Sequence, residues 1–261
     1  MIEAIPMPEA RLYVLEDAAA VAREGARRFV NAAGRAVEAS RMMRAALSGG
    51  STPLGMYRLL ASDETFRHSV HWPSVEFFWG DERFVPDDHA DSNYRAAREA
   101  MLSPLGIDPR QIHAIPTDGE NAAEAATSYE EQLEGLFGIA RPALPRFDLV
   151  LLGLGADGHT ASLFPGTIPE GTDRLAVATR SPAGGAERIT LTPSVLNAGR
   201  EILFLVAGEE KAGALEGAMR AEDPDPAVPT SLIRPAKGKI TWLADRSAAA
   251  NIVDPSGGEQ G

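Results

Sequence analysis

The stretch Asp148 to Gly166, DLVLLGLGADGHTASLFPG, places a histidine beside a carboxylate where the two could move a proton. An apolar run, Leu149 to Leu152, ends in glycines, and Asp157, Gly158 and His159 arrive together soon after. A buried strand that delivers such a pair into a glycine-lined turn sets it at the strand's carboxyl end, where open α/β sheets bind ligands. Imidazole titrates near neutral pH, so His159 suits general acid or base work, with Asp157 as the group that orients its ring. The other histidines, His68, His71, His89 and His113, lack such a setting and read as surface or packing residues.

Gly153, Gly155 and Gly158 also spell G-x-G-x-x-G, the dinucleotide-binding pattern. That pattern needs a long helix after the third glycine, because the helix N-terminus holds the pyrophosphate. Here Pro165 and Gly166 follow closely, leaving room for about two helical turns. The strand-like run Leu175 to Thr179 ends in Arg180, where the pattern wants an acid. The glycines therefore read as the walls of a turn, not as a nicotinamide-nucleotide site.

Three further clusters could meet a substrate. In Ser48-Gly49-Gly50-Ser51-Thr52, glycines let backbone N–H groups approach an anion and hydroxyls add donors. A helix starting at Pro53 and capped by Thr52 would aim its positive end at the same point. No Gly-Lys-Ser/Thr follows, so the loop is not a Walker motif; it suits a phosphate on a small molecule, although an ordinary capped helix start would need only one of these residues. The second cluster is Asp81-Glu82-Arg83 after the strand Val75 to Trp79, where acids and an arginine could hold sugar hydroxyls or a phosphate, or form only a solvated turn. Asp87, Asp88 and Asp91 surround His89 without metal-ligand spacing, and an exposed acidic loop is expected there. The third cluster pairs Arg188, which leads into a strand, with Lys211 in the first turn of a later helix. The macrodipole disfavours a cation there. A bound anion would resolve the conflict; screening by Glu209 and Glu210 is the alternative.

These clusters need strands that end in them. Strand patterns cover Arg44–Leu47, Val75–Trp79, Leu149–Leu152, Leu175–Thr179, Ile189–Thr192, Ile202–Val206 and Ile240–Leu243. Helix patterns cover Asp17–Ser40, the segment from Pro53, Asn93–Leu102 with Ser92 as its cap, Glu120–Leu136 and Glu209–Met219. The alternation predicts a mainly parallel sheet covered by helices. Pro224 to Pro235 reads as a surface loop, and the tail from Ser256 as disordered.

The chain has 261 residues, a formal net charge of −12 and no cysteine. The length suits one large α/β domain, or two small ones, with an ample core. The charge argues against a nucleic-acid partner, and the absence of cysteine excludes disulfides, a thiol nucleophile and thiolate-bound zinc. No segment has the length of a membrane span, and the N-terminus lacks a signal-peptide pattern, so a cytoplasmic protein with no membrane partner is expected.

Together these segments resemble the 6-phosphogluconolactonases. The resemblance runs from SGGSTPLGMY through WGDERFVPDDHADSNYRAAREAML, GLGADGHTASLFPG and RITLTPSVLNAGREILFLVAGEEKA to IRPAKGKITWLADRSAAA. It implies a Rossmann-like fold in a single domain over residues 1–255, with a tail at 256–261. It implies hydrolysis of 6-phospho-D-glucono-1,5-lactone in the oxidative pentose phosphate pathway, by a monomer or homodimer with neither metal nor organic cofactor. His159 would be the general base, Asp157 its orienting partner, and Arg83 a support for the carbonyl or oxyanion. Ser48, Gly49, Gly50, Ser51, Thr52, Arg188 and Lys211 would hold the phosphate, with Asp81, Gly155 and Gly158 also lining the substrate. SPAGGAE before Arg188 departs from the family's usual proline-containing approach. Glucosamine-6-phosphate deaminases share the fold and the DGH turn, but continue with an AFNEPG-like segment where this chain has SLFPG. A deaminase or isomerase using Asp81 to abstract a proton is one alternative, and a sugar-phosphate effector-binding module is another. The acidic chain offers no basic recognition helix before residue 45 to support the latter.

Overall fold

A computed structural model describes residues 3–6, 10–167 and 172–253. The expected disorder from Ser256 onward lies outside the described residues. The strands are β1 (Glu3–Pro6), β2 (Ala10–Leu15), β3 (Met43–Leu47), β4 (Val75–Trp79), β5 (Asp81–Arg83), β6 (Ile112–His113), β7 (Leu149–Leu152), β8 (Ala176–Arg180), β9 (Glu187–Leu191), β10 (Glu201–Val206) and β11 (Lys239–Asp245). The main sheet has the order β1-β2-β11-β10-β7-β3-β4-β6. All its pairings are parallel except that of β1 with β2. All four residues of β7 are buried, as a central strand covered on both faces requires.

The chain leaves β3 for β4 on one side, and leaves β7 for β10 on the other. The gap between the carboxyl ends of β3 and β7 is therefore the topological switch point, where an open sheet leaves a crevice for a ligand. Ser48 follows β3 and the Gly153–His159 turn follows β7, so both glycine-rich loops flank that crevice.

Two of the strands expected in the parallel sheet lie elsewhere. β8 and β9 form an antiparallel hairpin that pairs with β5 in a separate three-stranded sheet, order β5-β9-β8. Their apolar runs match either placement. A short connection closes the hairpin in Ser181–Ala186, with Gly184 and Gly185 at φ of +88° and +90°, and a tight connection of this kind makes antiparallel neighbours. The departure at SPAGGAE is this hairpin turn.

The helix Ala18–Glu38 begins where Asp17 accepts from the Ala20 N–H at 2.8 Å, a cap worth about 1 kcal/mol. Its buried face carries Val21, Ala22, Ala26, Phe29 and Ala33. The helix expected at Asn93–Leu102 continues to Leu105 through a π-helical stretch, Arg98–Leu102, and ends at Gly106 with φ +66°. No described helix is long and apolar enough to cross a membrane.

Candidate active site

The turn after β7 brings Asp157 and His159 together. Asp157 Oδ1 lies 2.5 Å from His159 Nδ1 and 3.2 Å from its backbone N. The carboxylate can only accept, so Nδ1 is the donor, and in the neutral ring Nε2 is then the acceptor. Burial pushes the Asp157 carboxyl up, but the hydrogen bonds from His159 outweigh it and hold the group below the usual carboxylate range. Gly158 takes φ +81°, which lets the chain reverse before His159. No helix follows; Thr160 and Leu163 form an isolated bridge instead, so the nucleotide pattern lacks its helix. The His159 ring tilts against Phe164, with centroids 4.9 Å apart.

The loop after β3 differs from expectation in one respect. Its helix starts at Ser51, not Pro53, with Gly50 at the cap position and no side chain capping it. Thr52 is inside the first turn, so it cannot cap; the start is left to backbone N–H groups, the arrangement that accepts an anion. Ser48 Oγ is buried without a hydrogen-bond partner among the described residues. The Tyr57 hydroxyl accepts from Ser48 N–H at 3.1 Å and donates to Ser48 O at 2.8 Å, replacing the strand partner lost where β3 ends. Tyr129 does the same for Trp79 at the end of β4. A side chain at Gly49 would collide with Asn93, whose amide donates to Asp81 O at 3.0 Å.

Of the three charged residues after β4, only one presents unpaired donors. Asp81 is buried and accepts from Ser162 Oγ at 2.6 Å. Glu82 is turned inward: it accepts from the N–H groups of Arg83, Asn93 and Tyr94 at 2.7, 2.8 and 2.7 Å, and from Ser92 Oγ. It clamps a helix start and is not free for a ligand, so neither a role in holding sugar hydroxyls or phosphate nor a solvated turn describes it. Burial pushes its carboxyl up to about 7 despite these bonds. Arg83 lies directly opposite Arg188 in the β5–β9 ladder. Each has a buried Nε with no acceptor among the described residues. Burial, then the Arg83 charge, pull the Arg188 guanidinium below its usual range. Arg188 also lies over the Phe164 ring, 5.4 Å from its centroid. Phe164 thus touches both His159 and Arg188, and the two mutually repelling cations keep spare donors that an anion would satisfy.

Lys211 sits in a short 3-10 turn, Glu209–Lys211, just before the α-helix Ala212–Arg220. Its Nζ is 3.8 Å from the Glu210 carboxylate, a distance at which that acid partly screens it. Lys211 follows β10, His159 follows β7, Ser48 follows β3 and Arg83 follows β4, and these four strands are consecutive in the sheet. These four therefore occupy one edge, about 14 Å across at the usual strand spacing, and Arg188 comes from β9 of the smaller sheet, opposite Arg83. Among the described residues no three His, Asp or Glu side chains gather as metal ligands. Sequence reasoning missed Phe164 and Thr230. Phe164 stood inside the SLFPG motif as a signal; Thr230, which bonds the Gly158 carbonyl, lies in the loop expected to be surface.

Comparison with known proteins bears on the same segments. The family model described as glucosamine-6-phosphate isomerases/6-phosphogluconolactonase matches residues 16–242. The chain is 42% identical over 208 residues to a 6-phosphogluconolactonase of Synechocystis, covering 79% of this chain and 83% of that one. It is 37% identical over 253 residues to the 6-phosphogluconolactonase of Mycobacterium leprae, covering 93% and 98%. The solved 6-phosphogluconolactonase from Trypanosoma brucei superposes with a TM-score of 0.80 at 30% identity, covering 96% of this chain and 100% of that one.

Proposed function

This chain belongs to the family of glucosamine-6-phosphate isomerases and 6-phosphogluconolactonases, and from that premise we propose that it hydrolyses 6-phospho-D-glucono-1,5-lactone to 6-phosphogluconate in the oxidative pentose phosphate pathway. Relatives that align along most of its length are lactonases. The observation that carries the chemistry is the Asp157–His159 bond, which leaves Nε2 as a bare acceptor at the switch-point crevice.

His159 Nε2 takes a proton from water as the water oxygen bonds to C1 of the lactone. The carbonyl oxygen becomes an oxyanion. It collapses, the bond from C1 to the ring oxygen breaks, and the ring oxygen takes the proton back from His159. The product is a carboxylic acid that ionises and releases a proton. Asp157 stabilises the transient imidazolium and holds its orientation; the proton transfer through His159 is of the general-base kind, typically worth about 10²- to 10⁴-fold. The paired arginines divide the charge: Arg188, with the Ser48–Thr52 loop and Lys211, meets the fixed charge of the 6-phosphate, and Arg83 meets the charge that develops on the carbonyl oxygen. Gly155 and Gly158 shape the turn beneath the ring, and Asp81, tied to Ser162, holds the wall beside it.

The test is to add purified protein to freshly prepared 6-phosphogluconolactone and follow proton release against the spontaneous background. Catalysed release supports the reading. Ammonia from glucosamine 6-phosphate, without lactone hydrolysis, would replace it with the deaminase activity.

A further inference from the structure

The peptide unit joining Gly158 to His159 is held at both ends, and we propose that Thr230 sets its plane and thereby positions His159. The inference rests on reading His159 as the base. Thr230 is buried. Its backbone N–H donates to the Gly158 carbonyl at 3.2 Å, and its hydroxyl donates to the same oxygen. One residue thus fills both acceptor positions of that carbonyl. At the other end of the peptide unit, the His159 N–H donates to Asp157 Oδ1, the oxygen that also meets Nδ1.

A trans peptide is planar, with its C=O and N–H pointing in opposite directions. Fixing the Gly158 carbonyl therefore fixes the His159 N–H. That N–H helps fix Asp157 Oδ1, and Asp157 Oδ1 fixes the tautomer and tilt of the ring. Every link but the rigid peptide plane is a hydrogen bond, and Thr230 supplies the first. Gly158 has no side chain to hold the turn by packing; within the turn Gly158 N–H donates to Gly155 O at 3.0 Å and Gly155 N–H donates to His159 O at 2.8 Å, and Thr230 adds the contact from outside it.

Thr230 is itself firmly placed. It lies in a short helical turn, Pro229–Leu232, where Pro229 and Ser231 are also buried. Ser231 Oγ accepts from Asp225 N–H at 2.7 Å. Arg234 donates to the carbonyls of Ser231, Glu222 and Ala221, stapling the loop's two arms together. Asn197 donates to Leu232 O and accepts from Arg234 N–H. The Pro226 carbonyl also receives the Gly166 N–H at 3.4 Å, so this loop touches both ends of the segment that carries His159 and Phe164. The proline-rich stretch is a brace behind the catalytic turn.

The experiment compares Thr230→Val, which keeps shape and loses the hydroxyl, with Thr230→Ser, which keeps it. Thr230→Val is expected to lower kcat by about 10- to 100-fold with KM within about two-fold, and Thr230→Ser to stay near wild type. Nitrogen-15 NMR of the His159 imidazole gives a readout apart from turnover. The wild type should show the Nδ1–H tautomer, and Thr230→Val a mixture. Equal behaviour of the valine and serine variants, or a valine variant with wild-type kcat and tautomer, overturns the proposal. Thr230→Ala serves where the buried valine methyl disrupts folding. If neither folds while the serine variant does, Thr230 is a folding residue and the positioning role is withdrawn. Full activity in His159→Gln would instead sink the assignment of the base, and the tautomer measurement would still report on Thr230.

Discussion

The His159 ring occupies the space that a side chain at Gly155 would need: a Cβ there would stand 2.0 Å from Nδ1 and 2.5 Å from Asp157 Oδ1. Both clashing groups are side chains, which move before the backbone does. Gly155→Ala is therefore expected to part Asp157 from His159 while leaving the fold intact. The kcat should fall on the order of 10²-fold, with a melting temperature within a few degrees of wild type. Kinetics and a thermal melt on one preparation check it. Unchanged kcat would show that the Asp157–His159 contact is dispensable.

Removing the base itself should cost more. His159→Gln keeps the bulk and loses the proton function, so kcat should drop by about 10²-fold or more, with a smaller change in KM. Asp157→Asn still accepts from Nδ1–H and should be the milder variant. If the order is reversed, the acid rather than the imidazole carries the proton.

The phosphate assignment separates by substrate. Lys211→Ala and Arg188→Ala should raise KM for the phosphorylated lactone, because a contact remote from the carbonyl is made in ground and transition states alike. Both should barely alter the slow hydrolysis of unphosphorylated gluconolactone. Arg83→Ala should lower kcat on both substrates. An equal fractional loss of kcat/KM on both substrates for Lys211→Ala would move that residue to the carbonyl or to the fold.

Glu82 should make stability depend on pH. Its folded carboxyl is pushed up to about 7 from an ordinary 4.5, chiefly by burial. A raised pKa means the native state binds the proton more tightly than the unfolded chain. The contribution is therefore full below the unfolded value and is lost as pH rises through the folded one, on the order of 3 kcal/mol in all. Denaturant melts at about pH 4.5 and about pH 8 should show a larger loss in wild type than in Glu82→Gln. Parallel losses would mean that another group titrates.

Lactone hydrolysis should survive exhaustive chelation, since water is activated by imidazole and the charges are met by guanidinium groups and backbone N–H. A large loss restored by a divalent ion would contradict the proposed chemistry.

Much of the site can be read from residues near one another in the chain. The apolar run Leu149–Leu152 ending in glycines does give a central strand with Asp157 and His159 at its end. Ser92 does cap its helix, accepting from Arg95 N–H at 3.0 Å. Such features depend on periodicity and on hydrogen bonds spanning a few residues, and a linear pattern carries that information. The Ser48–Thr52 loop is legible as a helix start, but the helix begins two residues before Pro53, because Gly50 with φ +101° can take the cap position without a side chain.

Tertiary structure decided what depends on distant partners. The apolar alternation of β8 and β9 shows that they are strands, but not which open edge they meet; pairing with β5 set Arg188 opposite Arg83. Glu82 could have faced substrate, and the unsatisfied N–H groups of a helix start ten residues on drew it inward instead. Thr230 reads as one hydroxyl in a proline-rich loop until folding carries it to the Gly158 carbonyl. The physical reason is the same in each case. A side chain's chemistry is local and written in the sequence, whereas a buried donor or acceptor takes whichever partner the packed chain brings within reach.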